Sequence, residues 1–467
     1  MTKFGRPNVI FILADDMGYG DFSVFNNGLS ETPCLDALMS ESVCLTQFYS
    51  ASPICAPARA GFLTGRYPHR TGAIETRELR GLCNLALRET TIADLFKRSG
   101  YATGLVGKWH NGCLQDRFHP NARGFDEFIG FRSGWQDYWD WVIDRNGMHE
   151  KADGRYLTDV FTQEAIGFVE RHRSEPFFLH LAYNAPHSPL QAPEEDVQPF
   201  EEKGSFTKAV STIYGMNRRM DAGIADLLAA LDRFGIAGNT ILVFTSDNGP
   251  QFSGEGEEST VRFNCDFNGA KGKVYEGGVR VPAIVRWPDG LPADAQVDAT
   301  IHGCDWLSTL AAAIGVVADG VAPQDGANVL PILRGEPANL PDQRYWQWNR
   351  YDPVITSNAA VRDGDWKLVR PVIGETVWID PDEQALDSVF RDAPWEHVDP
   401  IETPMPERSI PEPPPAELYN IVEDPLERND LAAADPARTS KLSTMLESWF
   451  EDVEADRMSI GGPWAEA

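Results

Sequence analysis

Long apolar runs are missing from this 467-residue chain. No stretch approaches the roughly 20 residues that a membrane-spanning helix needs. Residues 9–13, the first strongly apolar segment, are too few for the core of a secretion signal, and no small-residue cleavage site follows them. As it stands the sequence predicts a cytoplasmic protein, or a periplasmic or secreted one if a leader preceded it. Paired cysteines are missing too. Cys34, Cys44, Cys55, Cys83, Cys113, Cys265 and Cys304 are odd in number, scattered, and form no C-x-x-C pair. That excludes a disulfide framework and a cysteine-built zinc site, and it suits a reducing compartment. Positive charge is scarce: 41 Lys and Arg stand against 70 Asp and Glu, a formal charge of −29. Nucleic acid is thereby excluded as a partner, because its binding depends on basic residues neutralising phosphates. An anionic substrate must be drawn in by a local basic pocket, which remote carboxylates oppose only weakly beyond a screening length of about 8 Å.

What is present is ordinary for a globular protein, with 42% hydrophobic and 24% charged residues. Short β-branched and aromatic runs alternate with helical patterns, which predicts an α/β sheet with helices on both faces. Strands are predicted over 8–14, 102–106, 176–183, 240–245 and 281–286. Helices are predicted over 32–42, 91–98, 206–234 and 306–314. The spacing changes beyond about residue 340, to short strands such as 366–369 and a last helix over 438–453. This gives a catalytic α/β unit over 1–340 and a smaller α+β unit over 341–467. Residues 380–399, rich in acid, and the proline run 411–415 are expected to form an irregular insertion.

Chemistry-bearing residues gather just beyond the predicted strands, the edge at which open α/β sheets bind ligands. Asp15-Asp16 ends the first strand and Asp247-Asn248 a late one. Either pair alone reads as turn chemistry. Together they offer three carboxylates and an amide oxygen, a hard donor set suited to Ca²⁺, or to Mg²⁺ at a tighter radius. Lys108 and His110 follow another strand, and residues two apart in extended chain share a face. His187 stands in Ala185-Pro-His187-Ser-Pro, a loop stiffened by prolines. Lys271 lies in a glycine-rich turn that lacks the order of a phosphate loop. Cys55, in Cys55-Ala-Pro-Ala-Arg59, precedes a predicted helix whose free N–H groups attract anions. Arg59 adds a permanent charge one turn later.

The segment from Cys55 to Arg66 resembles the C-x-P-x-R…T-G signature of the type I, formylglycine-dependent sulfatases, of the alkaline-phosphatase-like superfamily. Ala58 stands where that family usually has serine. The blocks around Asp15, Lys108, His187, Asp247 and Lys271 are similar to sulfatase blocks in the same order, and 361–369 and 417–427 resemble the strands of the family's small C-terminal unit. The resemblance implies one Ca²⁺ held by Asp15, Asp16, Asp247, Asn248 and the modified Cys55. It also implies an activating enzyme that oxidises Cys55 to formylglycine during maturation. By the same resemblance, Cys55 is the nucleophile and Asp247 its base. Arg59, Lys108 and Lys271 clamp the sulfuryl oxygens, His187 with Lys271 protonates the leaving oxygen, and His110 accepts the proton that lets sulfate leave. The substrate implied is a small or oligosaccharide sulfate ester. Two other readings stay open at this point: a phosphate or phosphonate ester hydrolase of the same superfamily, and a silent protein that binds sulfated sugar. The aromatic stretch 131–141 is a candidate sugar-stacking wall, and His149, Arg262 and Arg132 are candidate selectors.

Overall fold

Strict burial at every position marks Asn8–Ala14 as the central strand of the computed structural model, which describes residues 5–252, 261–317, 321–397 and 399–460. Val9, Phe11 and Leu13 enter one apolar layer, whereas Ile10, Ile12 and Ala14 enter the other. A strand without a polar face needs cover on both sides. Helices Ile92–Arg98 and Asp305–Ala313 cover the first layer, and Leu157–His172 and Lys208–Arg233 the second. The helix Lys208–Arg233 begins where Thr207 accepts the amide of Val210.

Asn8–Ala14 pairs in parallel with Phe177–Ala182 and with Thr240–Ser246. Outward from Phe177–Ala182 follow Ala102–Lys108 and Glu127–Phe131, both parallel, and then the antiparallel Val142–Arg145 and Met148–Lys151. The last two are joined at Asn146-Gly147, whose φ angles of 52° and 90° supply the left-handed pair that a two-residue hairpin requires. On the far side Ala283–Arg286 runs antiparallel to Thr240–Ser246, and Val43–Leu45 and Ala295–Val297 complete ten strands. The expected mixed, mostly parallel sheet flanked by helices is therefore present.

A second, antiparallel sheet has the order Gln343–Gln347, Ala359–Asp363, Trp366–Arg370 and Glu417–Asn420. The final helix, Pro436–Met458, buries Leu442, Leu446 and Trp449 against Val361, Leu368 and Leu418. One expectation is corrected here. Residues 380–399 are not irregular throughout: Pro381–Asp392 is a helix. Asp380 caps it by accepting the amides of Asp382 and Glu383 at 3.0 and 3.2 Å. Proline at the first helical position and acids in the first turn complete the start. Asp380, Asp382 and Glu383 are helix-start chemistry and not part of an irregular run.

The second sheet is fastened to the first unit by a buried charge cluster. Lys367 donates to Glu276 Oε1 at 2.8 Å and is ion-paired with Glu427 Oε1 at 2.9 Å, with none of the three side chains exposed. Tyr49 donates to the other Glu276 oxygen at 2.7 Å. Removing one partner of such a cluster strands the others in a low-dielectric interior. Lys367→Met is expected to cost about 3–5 kcal/mol of unfolding free energy in a urea titration. A loss below about 1 kcal/mol would show that the cluster is solvated and does not fasten the units.

Candidate active site

Adjacent parallel strands deliver their following residues to the same edge of the sheet. Asn8–Ala14 leads into Asp15 and Asp16, Thr240–Ser246 into Asp247 and Asn248, and Ala102–Lys108 ends on Lys108 itself. Asp16 has φ of 68° and His110 of 55°. Left-handed backbone at non-glycine residues is costly and gathers where a side chain must be aimed. Gly107 makes the close approach before Lys108 possible: a Cβ there would lie 1.9 Å from the carbonyl oxygen of Ala182.

The charges interlock. Lys108 Nζ donates to Asp15 Oδ2 at 2.6 Å, and Lys271 Nζ to Asp16 Oδ2 at 2.7 Å. Arg59 Nε donates to Asp247 Oδ2 at 2.9 Å, and a second guanidinium nitrogen lies 2.8 Å from the same oxygen. Asn248 Nδ2 donates to Asp16 Oδ1 at 2.7 Å. Asp15, Asp16, Asp247, Asn248, Arg59 and Lys108 are each at most 1% exposed. Burial and the neighbouring Asp15 carboxylate raise Asp247 to about 6. Burial would also raise Asp16, but Lys271 and His187 overcome it and hold that carboxyl well below the usual range.

Two oxygens decide what this set can hold. Asp15 Oδ1 and Asn248 Oδ1 are buried without a hydrogen-bond partner among the described residues, a costly state unless a cation takes them. Single ligand atoms of Asp15, Asp16, Cys55 and His187 also lie within 4.8 Å of one another. Carboxylate and amide oxygens at this density fit a hard divalent cation such as Ca²⁺. Relative to the expected ligand set, this grouping brings in His187, while Asp247 commits one oxygen to Arg59.

Cys55 is the first residue of the helix Cys55–Thr64, not the residue before it, and no side chain caps that start. The free N–H groups there favour an anion. Burial pushes the Cys55 thiol up to about 11, against the pull of Lys108 and Lys271. As a plain thiol it is a poor nucleophile at neutral pH.

The two histidines present opposite nitrogens. His187 Nδ1 lies 2.6 Å from Ser188 O, and a carbonyl only accepts, so the proton is on Nδ1 and the Nε2 lone pair faces Asp16 at 3.8 Å. Burial and Lys271 lower its pKa to about 3. His110 Nε2 lies 3.0 Å from Thr76 O, which places its proton on Nε2 and leaves the lone pair on Nδ1. Burial and Lys108 hold His110 well below the usual imidazole range.

Cys55, His110, His187 and Lys271 open onto a cavity of about 400 Å³. Its outer wall carries Glu78, Trp135, Arg350, Asp387 and Arg391, none of which sequence reasoning had placed as an individual site residue. Residues 350–391 reach the site through the C-terminal sheet and the helix Pro381–Asp392, and no local pattern announces that route. Of the aromatic stretch, Tyr138 and Trp141 are core residues, and Trp135 is the one that lines this cavity, with the Arg391 guanidinium 4.5 Å from its ring centre. The suggested selectors are elsewhere. Arg132 and His149 line a separate small pocket. Arg262, 4% exposed, is ion-paired with Asp21 and donates to the carbonyl of Asp16 at 3.0 Å, so it braces the acidic loop.

A family model described as Sulfatase matches residues 7–316. The chain belongs to the sulfatase family. It is 30% identical to Arylsulfatase J of Mus musculus over 94% of this chain and 74% of that protein. It is 34% identical to N-acetylgalactosamine-6-sulfatase of Homo sapiens over 70% of this chain and 66% of that protein. The crystal structure of Ps i-CgsB in complex with k-i-k-neocarrahexaose matches with a TM-score of 0.79 and 29% identity, covering 95% of this chain and 92% of that one. This sulfatase is thus a sulfuric ester hydrolase of the alkaline-phosphatase-like superfamily.

The bracing role of Arg262 separates stability from selectivity. Arg262→Ala leaves Asp21 buried without its cation and is expected to lower unfolding free energy by about 3–5 kcal/mol. Metal affinity should fall with it, while relative rates on different sulfate esters stay as in the wild type. A stable variant with altered substrate preference would return Arg262 to the list of selectors.

Proposed function

We propose that this sulfatase hydrolyses sulfate monoesters of a carbohydrate, with Cys55 oxidised to formylglycine and one Ca²⁺ bound by Asp15, Asp16, Asp247 and Asn248. The observation that carries this reading is the setting of Cys55. It opens a helix within 4.8 Å of the ligand atoms of Asp15, Asp16 and His187, and Lys108 and Lys271 bear on it electrostatically. The carbohydrate assignment is supported by the oligosaccharide bound to Ps i-CgsB and by a cavity lined mostly by polar and charged side chains together with Trp135.

Formylglycine would supply a hydrated aldehyde, one oxygen to attack sulfur and a second to expel sulfate, and Ca²⁺ would supply fixed positive charge at the sulfuryl oxygens. This chain's own residues do the rest. Arg59, Lys108 and Lys271 match the three buried carboxylates in charge, so a bound divalent cation leaves the site net positive towards a sulfate ester. Asp247 accepts the proton of the attacking hydroxyl. Lys271, held protonated by Asp16 against its burial, carries the resting proton of the pair it forms electrostatically with His187. Together they protonate the leaving oxygen. His110 Nδ1 takes the proton whose loss releases sulfate. Because Cys55 is only 3% exposed, the oxidising enzyme must meet it before the helix packs.

Active protein should yield a Cys55 peptide lighter than the thiol form by about 18 Da, or of equal mass when hydrated. Cys55→Ser, with one oxygen, should turn over at most once and stall, and Cys55→Ala should not react. Turnover counting on these variants with a defined sulfated saccharide tests the reading. Repeated turnover by Cys55→Ala would refute the nucleophile, and wild-type protein that binds the saccharide without releasing sulfate would favour the silent binding protein.

A further inference from the structure

His110 has a neighbour that the mechanism above does not use. Glu78, 2% exposed, stands in the wall of the same cavity. Its Oε1 accepts the amide of Gly134 at 2.6 Å and lies 3.6 Å from His110 Nε2. Gly134 permits this closure: a Cβ there would lie 2.8 Å from the His110 ring and 3.1 Å from Glu78 Oε1. The imidazole therefore has two distinct ends. Nδ1 is buried, holds the lone pair and has no partner among the described residues. Nε2 holds the proton, between the carbonyl of Thr76 and the carboxyl of Glu78.

We propose that Glu78 is the positioning residue behind His110 and receives the Nε2 proton as Nδ1 takes one in the sulfate-release step. The proposal rests on the formylglycine reading above. The hydroxyl O–H bond breaks and its proton goes to Nδ1. Its electron pair forms the C=O of the aldehyde, and the C–O bond to sulfate breaks with its pair leaving on sulfate. The Nε2 proton moves to Glu78 Oε1 as Nδ1 is protonated; when the Nδ1 proton leaves to water in the cavity, Glu78 returns its proton to Nε2, so the resting tautomer and the carboxylate are both restored. No oxidant or further reactant is required. A carboxylate behind an imidazole fixes its tautomer and stabilises the cation that forms in passing.

The groups bearing on Glu78 are Asp387 and Arg391 from the helix Pro381–Asp392, together with His110, Cys83 and Cys113. Burial first and then Asp387 push Glu78 up to about 8, and Arg391 opposes them. Only the carboxylate can receive a proton. The relay is therefore blocked below this value and opens as pH rises through it, while resting His110 stays neutral.

Two measurements test this. With p-nitrophenyl sulfate, whose leaving group departs with little acid help, kcat reads release and kcat/KM the earlier attack. Wild-type kcat should rise about tenfold from pH 7 to 9, following one ionisation. Glu78→Gln keeps an oxygen for the Gly134 amide, and it should lose that rise and lower kcat more than kcat/KM. Glu78→Asp should restore part of the rise. The second readout needs no turnover. In ¹⁵N-histidine-labelled Cys55→Ala protein, the His110 ring resonances should follow an alkaline ionisation that disappears when Glu78→Gln is added. An alkaline rise that survives Glu78→Gln, equal losses in kcat and kcat/KM, or ring resonances blind to Glu78 would overturn the proposal. Formylglycine-bearing wild-type protein that releases no sulfate would instead overturn the mechanism above, and the resonance titration would still decide the Glu78–His110 pairing.

Discussion

Asp15, Asp16 and Asp247 are brought together without exposure to water, and much of the surrounding structure can be understood as the response to that repulsion. Carboxylates buried side by side cannot all stay ionised unless opposite charge is fixed among them. Arg59 from the helix Cys55–Thr64, Lys108 from a strand end and Lys271 from a loop supply it, each from a different part of the chain. The oxygens left over, on Asp15 and Asn248, mark where a further cation fits. A site assembled this way is preorganised: its donors are locked before a sulfate ester arrives, so little reorganisation is needed when charge shifts at sulfur.

The same demand explains why the second sheet is needed. Lys271 sits on the segment that ends in Glu276, and Glu276 is held by Lys367 of the C-terminal sheet. The C-terminal region also contributes the helix Pro381–Asp392, whose Asp387 and Arg391 border the cavity. Anchoring and substrate wall thus come from the part of the chain farthest in sequence from Cys55. Position at the reacting centre depends on packing tens of residues away, as precise catalytic geometry commonly does.

How much of this was legible in the sequence follows from which features are local. The central strands were, because residues 8–14 and 240–246 are apolar throughout and end in polar pairs. The gathering of Asp15, Asp16, Lys108, Asp247 and Asn248 was, because these residues stand at strand ends and parallel order forces them together. Cys55 was placed one residue early relative to its helix, an ordinary ambiguity of helix starts. Glu78 was not legible: it lies in the charged run Glu75-Thr-Arg-Glu-Leu-Arg80, and only tertiary structure sets it behind His110. Arg262 misled for the opposite reason, since an arginine near an acidic site looks like a selector until its partner Asp21 is seen. The helix Pro381–Asp392 was missed because proline and acids placed at a helix start have the composition of an irregular loop.

Metal content tests the central proposal most directly, because the unpartnered oxygens of Asp15 and Asn248 fit one hard cation. Elemental analysis of protein purified without chelators should find about one calcium per chain. Asp16→Ala should abolish that calcium while the protein still melts cooperatively. Stoichiometric zinc, or two metal ions per chain, would contradict the account and move the site towards phosphoryl-transfer chemistry.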